Sequence, residues 1–599
     1  MSIEATASPQ VEYTSRHAAR ARLAAQMTAR ERLISRSRLL AFAAAVAIVW
    51  IGLQTHWFSP WWGGSALLAF VALVALHQQT RGQRVRAERA GAFYERGLAR
   101  LDDRWSGNGE AGERFRNEHH PYADDLDLFG RGSLFELLCT VRTRAGEETL
   151  ATWLLTAASP PEVRARNGAV TELKPRLDLR EDLAVIGIDV RAGLHPDELA
   201  AWAGAPAPLA SVALRATAAG LVGLSLFSIG AWVIGLAPPL LCVIALVSQG
   251  LFAWRMRARV QRVIRAIDRP ARDLTLLGEL LARIEHEHFS AARLLTLRES
   301  LDRHGESPSR QIGRLRRWID WLYARNNELF APIAGALLWG TQCALAIEAW
   351  RTRSGPAIAD WLRATGELET LCALAGYAYE HPTDPFPDIV EGPACFHASG
   401  LGHPLIPEAR CVRNDVQLDA AHQVMIVSGS NMSGKSTLLR AVGTNAVLAQ
   451  TGAPVRAQAL RMSPLAVGAS IRINDSLQAG TSRFYAEITR LRQLVDLTTG
   501  AAPLLFLLDE ILHGTNSHDR RIGAEAVIKG LVERSAIGLV TTHDLALAQM
   551  VDTLGSRAQN VHFEDHLEDG KMIFDYCMRP GMVEKSNALA LMRAVGLSV

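Results

Sequence analysis

The chain of 599 residues has few cysteines and almost no net charge. Its seven cysteines are scattered without a C-x-x-C pair, which argues against a disulfide framework and a zinc site and fits a reduced cytosolic compartment. The formal net charge is only +3, so the whole chain has no general electrostatic attraction to nucleic acid. What remains is a chain long enough for several domains, in which 49% of the residues are hydrophobic.

Charged side chains are missing from two long tracts. None lies between Arg38 and Arg81, or between Arg215 and Arg255. A helix needs about 20 residues to cross the hydrocarbon of a bilayer, so each tract is long enough for a helical hairpin that crosses twice. We therefore expect four membrane spans, with a pair of buried core helices as the alternative for each tract.

The flanks of these tracts predict their orientation. The turns are expected at 54–60 and 235–239, and neither turn contains lysine or arginine. Basic residues lie on the other side of the tracts: Arg30, Arg32, Arg36, Arg38, Arg81, Arg84, Arg86, Arg255, Arg257, Arg259 and Arg262. By the positive-inside rule, the N-terminus and the carboxyl-terminal part are cytoplasmic. We expect a multi-pass protein of the cell inner (plasma) membrane.

A glycine-rich motif in the last third of the chain points to phosphate binding. An apolar run at 424–427 precedes a match to G-x-x-x-x-G-K-S, and apolar residues at helical spacing follow it. Such a loop cradles phosphates because its backbone N–H groups point inward and the next helix adds partial positive charge. Lys435 can reach the β- and γ-phosphates, and Ser436 can ligate Mg²⁺. The residues expected to bind the nucleotide are Gly429, Ser430, Asn431, Met432, Ser433, Gly434, Lys435, Ser436 and Thr437.

Two further apolar runs end in polar residues suited to nucleotide hydrolysis. The run 504–508 is typical of a strand buried on both faces, and Asp509 and Glu510 follow it. Asp509 can hold Mg²⁺, and Glu510 can orient and deprotonate the attacking water. The run 538–542 precedes His543, which either contacts the γ-phosphate or is a solvated loop histidine. The predicted cofactors are ATP and Mg²⁺, and the residues expected to act in catalysis are Glu510, His543 and Lys435.

These motifs resemble those of the MutS family of DNA mismatch-repair ATPases. GSNMSGKST at 429–437, DEILHGTNSHD at 509–519 and NDSLQAGTSRFYAEI at 474–488 are similar to the family's P-loop, its Asp-Glu box and its signature segment. The shorter stretches GHPLI, VRNDVQL, NVHFE and EKSNALALMRAVGL extend the resemblance over about 395–599. The resemblance implies an ABC-type α/β P-loop ATPase domain that works as a homodimer, in which Ser482 reaches across to the partner's nucleotide.

The chain also departs from the family's pattern. Ser430 stands where the family usually has proline, and Leu512 and His513 replace a Gly-Arg pair. Nothing before the first apolar tract resembles the family's N-terminal mismatch-reading domain with its Phe-x-Glu motif, so we do not expect mismatch recognition by that mechanism. A weaker resemblance to the family's helical core domain covers 125–155 and continues at 165–184.

Together these features predict a multidomain protein: an α-helical core and lever region with two transmembrane hairpins, followed by an α/β ATPase domain. The predicted segments are a basic N-terminal arm (1–38), the first hairpin (39–77), a core-like helical region (78–207), the second hairpin (208–254), a helical lever region (255–394) and the ATPase domain (395–599). The arm lies on anionic lipid or is a solvated tail. A third uncharged tract, 329–347, would place the ATPase outside as a fifth span, so we predict a buried core or lever helix there.

The sequence leaves two functions of different class open. In the first, a membrane-anchored MutS-like ATPase couples ATP binding and hydrolysis to the binding of mismatched or structured DNA. In the second, the same ATPase acts on a lipid, a protein or a transport partner without binding DNA. Arg314, Arg316 and Arg317, on a predicted amphipathic helix, either contact phosphates or form a solvated face. A nucleotide-regulated scaffold without turnover is disfavoured by the pair Asp509 and Glu510.

Overall fold

The protein divides into two compact units in a computed structural model. The first unit comprises Met1–Gly109 and Leu177–Val185, and the second comprises Glu110–Arg176 and Ile186–Val599. The structure describes residues 8–55, 59–193, 195–302, 305–325, 327, 330–430, 432–472, 483–512, 516–543, 545–568 and 571–583.

Helices make up most of the chain before residue 381, and strands alternate with helices after it. The helices are α1 (Pro9–Thr55), α2 (Gly63–Leu101), α3 (Leu134–Leu138), α4 (Arg144–Leu155), α5 (Pro160–Leu173), α6 (Leu177–Gly193), α7 (Pro196–Gly204), α8 (Val212–Val233), α9 (Pro239–Glu285), α10 (Ala292–Asp302), α11 (Pro308–Ala324), α12 (Ala331–Ala336), α13 (Trp339–Ser354), α14 (Ile358–Glu380), α15 (Lys435–Thr451), α16 (Arg483–Leu497), α17 (Ser517–Glu533), α18 (Leu545–Ala548) and α19 (Val551–Leu554). The strands are β1 (Asp388–Ile389), β2 (Phe396–Leu401), β3 (Asn414–Leu418), β4 (Val424–Ser428), β5 (Ala459–Met462), β6 (Ala466–Ser470), β7 (Leu504–Asp509), β8 (Ile537–Thr542), β9 (Ala558–Glu568) and β10 (Lys571–Pro580). The predicted order of a helical region and a carboxyl-terminal α/β domain is confirmed.

The first unit is built on the pairing of α1 with α2. Near its polar end the rings of Tyr13 and Tyr94 meet edge to face at 5.6 Å, and Gly97 leaves room for Tyr13 because a Cβ there would lie 2.5 Å from that ring. Further along, the rings of Phe42 and Phe70 lie 5.7 Å apart. The boundary predicted at residue 38 falls inside α1, so the basic arm and the first apolar limb form one continuous helix.

Two arginines of the arm, Arg16 and Arg20, form ion pairs within the first unit. The hydroxyl of Tyr94 donates to Glu181 at 2.5 Å, and Arg20 lies 2.7 Å from the same carboxylate. Arg16 pairs with Asp178 on the same helix, α6. The part of the arm from Pro9 onward is therefore a helix that contacts folded partners.

Three helices in the described part of the chain are long and apolar enough to cross a membrane: Pro9–Gln54, α8 and α9. The sequence predicts four spans, and α2 is not among these three. The apolar part of α2, 63–76, is followed by His77 and two glutamines, and it reaches only about 21 Å at 1.5 Å per residue. That length falls short of the roughly 30 Å of a bilayer's hydrocarbon.

The second apolar tract folds as a helical hairpin within the second unit. Helix α8 ends at Val233 and α9 begins at Pro239, around the turn predicted at 235–239. Proline suits the first position of a helix because no N–H donor is needed there. The thiol of Cys242 donates to the carbonyl of Ser228 at 3.0 Å across the hairpin. Large apolar side chains along both helices are exposed, including Phe227 at 75%.

The third uncharged tract forms two helices where one is predicted. Helix α12 ends before Leu338, whose left-handed φ of 49° interrupts the helix, and α13 follows. The amide of Gln249 on α9 donates to the carbonyl of Ala336 at 2.6 Å, while 343–347 on α13 are buried. The tract is therefore a broken helical segment packed beside the hairpin, buried in its second half.

The carboxyl-terminal domain is a mixed six-stranded sheet with helices, beside a four-stranded sheet. The strand order of the first is β10-β9-β4-β8-β7-β6, in which only β10 is antiparallel to its neighbour, and that of the second is β1-β5-β2-β3. All residues of β4 and β8 are buried. Such continuous apolar runs are needed because helices cover a largely parallel sheet on both faces.

A loop ahead of α3 ties the helical region to this sheet. The carboxylate of Asp125 accepts the backbone N–H groups of Ile471 at 2.8 Å and Arg472 at 2.7 Å, directly after β6. The guanidinium of Arg490 on α16 donates to the carbonyl of His120 at 2.6 Å. These contacts lie on either side of 473–482, which is outside the described residues and contains Ser482 and the rest of 474–482, the first part of the predicted signature segment.

Candidate functional site

The residues predicted to carry chemistry meet at the carboxyl ends of adjacent parallel strands. In the register of the sheet, Ser428 on β4 pairs with Thr542 on β8, and Thr541 on β8 pairs with Asp509 on β7. Strand β8 therefore lies between the strand of the glycine-rich loop and the strand of the acidic pair. Ligands of open α/β sheets bind at this edge.

The glycine-rich loop depends on backbone conformations that favour glycine. Gly429 has a φ of 154° and Gly434 a φ of 107°. A Cβ at Gly429 would lie 2.8 Å from the hydroxyl oxygen of Ser433, and one at Gly434 would lie 3.1 Å from the ring of Tyr576. Gly434 is the N-cap of α15, so the positive end of that helix faces the space above the loop. Asn431 lies outside the described residues.

The side chain of Lys435 is folded back over the loop. Only 5% of the residue is exposed, and its ammonium donates to the carbonyls of Gly429 and Ser430, both at 2.8 Å. The same nitrogen lies 3.5 Å from a carboxylate oxygen of Glu510. The cation therefore lies between the curve of the loop and the acidic strand end.

The acidic pair is held by the neighbouring strand. Asp509 accepts a hydrogen bond from the hydroxyl of Thr541, which in turn accepts the backbone N–H of Glu510 at 3.1 Å. Glu510 has a left-handed φ of 48°, and its carboxylate lies 3.4 Å from Nδ1 of His543. Lys435 and His543 thus both lie beside the carboxylate of Glu510.

The turn after the acidic pair is held by Glu487, for which the sequence motifs predict no role. Leu512 adopts a left-handed φ of 61°, at a position where the resembled family has glycine. Its backbone N–H donates to the carboxylate of Glu487, a residue of α16 that is 1% exposed. His513 lies outside the described residues. Helix α16 begins inside the signature segment, and Glu487 is one of the segment's last residues, so it links the segment to the acidic turn.

A cavity of about 870 Å³ opens above the loop. Lys435, Ser436, Thr437, Asp509 and Glu510 line one part of it. The rest includes mainly apolar residues without a role in the sequence analysis: Leu401, His403, Leu405, Ile406, Val412, Phe563 and Tyr576. Several belong to the stretches GHPLI, VRNDVQL and NVHFE, which signal the family but not this wall. An apolar wall beside a glycine-rich loop and a lysine suits a flat heteroaromatic ligand.

His403 is the polar residue buried in that wall. Burial, together with the positive charge of Arg440, lowers the pKa of its imidazole to about 4. The backbone N–H of Leu405 donates to Nδ1 at 3.2 Å, so this nitrogen is the acceptor of a neutral ring. A neutral imidazole can lie against a base without bringing a charge into the cavity.

The donor set fits a magnesium ion held jointly with phosphate. Ser436 and Asp509 both line the cavity, and a hydroxyl and a carboxylate are oxygen ligands of the kind that suit Mg²⁺. Among the described residues, no cluster of three or more His, Cys, Asp or Glu side chains could hold a metal ion. Magnesium does not need such a cluster, since it keeps several waters and binds through one or two protein ligands plus substrate phosphates.

The region that contains this site is similar to proteins of a known family. Residues 425–598 match the model of MutS domain V. The DNA mismatch repair protein MutS of Exiguobacterium sp. is 35% identical over 238 residues, which cover 37% of this chain and 26% of that protein. Endonuclease MutS2 of Thermus thermophilus is 34% identical over 203 residues, covering 33% and 25%. DNA mismatch repair protein MutS of Natronomonas pharaonis is 32% identical over 248 residues, covering 40% and 28%. The chain thus spans about a quarter of the length of these relatives.

Proposed function

This chain belongs to the MutS family, and on that premise we propose that it is a membrane-anchored, magnesium-dependent ATPase whose cycle is coupled to DNA binding. The observation that carries the ATPase assignment is the convergence of Lys435, Asp509, Glu510 and His543 at three adjacent strand ends. A phosphate cradle, a metal ligand and a base within reach of each other are what phosphoryl transfer to water requires.

In the proposed mechanism the adenine base of ATP lies against the apolar wall, and the phosphates of ATP enter the glycine-rich loop. Lys435 exchanges its bonds to the two loop carbonyls for the β- and γ-phosphates. Ser436 and Asp509 would hold Mg²⁺, which neutralises phosphate charge in the transition state. Glu510, oriented by Thr541, takes the proton of the attacking water.

His543 is the residue proposed to sense the γ-phosphate. Its Nδ1 lies 3.4 Å from Glu510, and 46% of its side chain is exposed, so it can turn between the carboxylate and a bound nucleotide. We extend the proposal to a homodimer of ATPase domains, in which Ser482 reaches the partner's nucleotide. ATP binding closes this dimer and hydrolysis reopens it.

The membrane part of the proposal is supported by the three apolar helices. We propose that the hairpin of α8 and α9 and the apolar end of α1 hold the chain in the inner membrane, with the ATPase in the cytoplasm. The exposed large apolar side chains of α8 and α9 support this role, because soluble proteins rarely expose such continuous apolar surface.

DNA is the proposed binding partner, because the similar relatives are named as DNA mismatch repair proteins and an endonuclease. The exposed apolar helices favour a second candidate, in which the ATPase acts on a membrane partner and binds no DNA. The affinity of the detergent-solubilised chain for duplex and mismatched DNA, measured at several salt concentrations, separates the two. A steep fall of affinity with salt supports DNA binding, and no binding leaves the second candidate.

ATP hydrolysis is tested with Glu510→Gln, which keeps the shape of the side chain but removes the base. We expect steady-state turnover to fall by about a hundredfold or more while nucleotide binding is retained. Glu533→Gln, exposed at the end of α17, is the matched control and leaves both unchanged. Unchanged turnover in Glu510→Gln would remove the catalytic role of this residue.

A further inference from the structure

A second pocket, of about 240 Å³, lies far along the chain from the ATPase motifs, between the start of α8, α11 and α13. Three arginines and two tryptophans contribute to its walls: Arg215, Arg314, Arg353, Trp318 and Trp350. We propose that this pocket binds the phosphate headgroup of an anionic phospholipid. The proposal rests on the proposed membrane attachment through α8 and α9, and not on ATP hydrolysis.

The charge of the pocket is only partly balanced by the protein. Arg314 pairs with Glu306 at 2.8 Å. Arg215 and Arg353, both exposed, form no ion pair with the residues that the structure describes. The guanidinium of Arg215 lies 5.7 Å from the ring centre of Trp318. Two guanidinium groups therefore remain available, and their planar forks match the oxygen atoms of a phosphate.

Uncharged polar groups in the pocket are already bonded to each other. The amide of Gln311 donates to the carbonyl of Glu306 at 2.7 Å, and its oxygen accepts the hydroxyl of Ser354 at 2.8 Å. The indole N–H of Trp350 donates to the backbone carbonyl of Gln311 at 2.8 Å. The bonds from Ser354 and Trp350 hold α13 against α11 without a ligand, so the pocket is preformed and its remaining capacity is for negative charge.

The pocket lies at the end of the apolar hairpin, and this position favours a phospholipid over other ligands that contain phosphate. Arg215 lies in the first turn of α8, and the apolar surface of the hairpin begins there, with Val212 83% exposed. By the positive-inside rule this end of α8 is the cytoplasmic one, where anionic headgroups attract basic residues. Acyl chains of a lipid bound at Arg215 would lie along the exposed face of α8.

Aromatic side chains beside the pocket also indicate that it lies at the boundary between hydrocarbon and water. The rings of Trp318 and Trp321 lie 5.0 Å apart, those of Trp321 and Trp339 lie 6.0 Å apart, and Phe330 meets Trp339 at 5.3 Å. Trp254, the last apolar residue of α9 before its basic stretch, is 72% exposed. Tryptophan is enriched at the boundary between hydrocarbon and water, so this cluster places the pocket among headgroups.

The test compares lipids and soluble phosphates on the full chain in detergent. Binding of short-chain phosphatidylglycerol and phosphatidylcholine is measured by the shift of the thermal unfolding midpoint, with inorganic phosphate and a DNA duplex as competitors. We expect a preference for phosphatidylglycerol that the double variant Arg215→Gln/Arg353→Gln lowers about tenfold. Arg317→Gln, exposed on α11 and outside the pocket, keeps the preference.

Each other outcome overturns the assignment in a distinct way. Competition by inorganic phosphate alone at equal concentration would identify a free anion as the ligand. Competition by the DNA duplex that depends on the two arginines would identify DNA. A chain that partitions into vesicles without any lipid preference would leave the membrane anchor standing and remove the lipid pocket. Lys435→Ala should keep the preference, so a failure of the ATPase proposal remains distinguishable.

Discussion

Replacing Glu487 by alanine tests how the acidic turn is held. The carboxylate accepts the N–H of Leu512, and its loss leaves that buried donor without its acceptor at a cost of about 1–3 kcal/mol. The left-handed conformation of Leu512 costs a further ~1–2 kcal/mol, and the hydrogen bond to Glu487 offsets this strain. Taking about 2 kcal/mol, the population with Glu510 correctly placed falls by up to about 30-fold.

The assay is steady-state ATP hydrolysis by the detergent-solubilised chain, beside titration of a fluorescent nucleotide. We expect Glu487→Ala to lose turnover by about that factor and to keep its nucleotide affinity, since the glycine-rich loop is untouched. Asp496→Ala, exposed on the same helix, is the matched control. The double variant Glu487→Ala/Leu512→Gly should regain most of the turnover, because glycine adopts a φ of about 60° without strain.

Two results would refute this reasoning. One is turnover of Glu487→Ala within about twofold of the unmodified chain, outside the range expected for a lost buried hydrogen bond. The other is a folded double variant that stays as slow as Glu487→Ala, which would show that strain at Leu512 is not what the carboxylate offsets.

Three further predictions concern the cavity and the contact that supports it. Gly434→Ala should weaken nucleotide binding about tenfold or more in a fluorescence titration, since alanine is strained at this φ and its Cβ approaches Tyr576; unchanged affinity would contradict the close fit. Below pH 6.5 the unfolded chain protonates His403 before the folded one does, so the free energy of unfolding should fall by about 1.4 kcal/mol per pH unit down to about pH 4. Thermal unfolding of His403→Gln, which does not titrate, should lack this slope; parallel curves would refute it. Asp125→Ala should destabilise the domain by about 2 kcal/mol and speed amide exchange of the two N–H groups after β6, whereas unchanged exchange would show that the carboxylate does not hold them.

Local patterns were enough for the strands and the loop of the site. Each of β4, β7 and β8 is an apolar run that ends in a polar residue, and such a run is needed wherever a parallel strand is covered on both faces. The order of these strands is a different matter. That β8 separates β4 from β7 depends on pairing between segments far apart in the chain, which no local pattern records.

The apolar wall of the cavity cannot be predicted from local patterns either, because its residues are far apart in the chain. His403, Phe563 and Tyr576 come from three separate segments, and only the fold brings them above the loop. Glu487 was missed because a glutamate in an amphipathic helix is usually a solvated residue. Its role follows from burial at 1% exposure and from the N–H of Leu512, and neither can be read from spacing.

Boundaries between regions were predicted from charge, but helices do not end where charge ends. Residue 38 separates a basic stretch from an apolar one, yet α1 continues through it, since backbone hydrogen bonding does not depend on side-chain polarity. The opposite occurs in the third tract, where a uniformly apolar sequence is interrupted at Leu338 by a left-handed residue. Composition predicts which environment a segment prefers better than where its backbone turns.

Helix α9 has a mechanical consequence. From Pro239 to Arg269 it runs for about 46 Å at 1.5 Å per residue, and Pro270 then removes one backbone donor inside the helix. A rod of that length converts a tilt of about 10° at one end into a displacement of roughly 8 Å at the other. Under the proposed membrane attachment, lipid packing around the hairpin and the tilt of this rod would constrain each other, and bilayer thickness would act on the helices that follow α9.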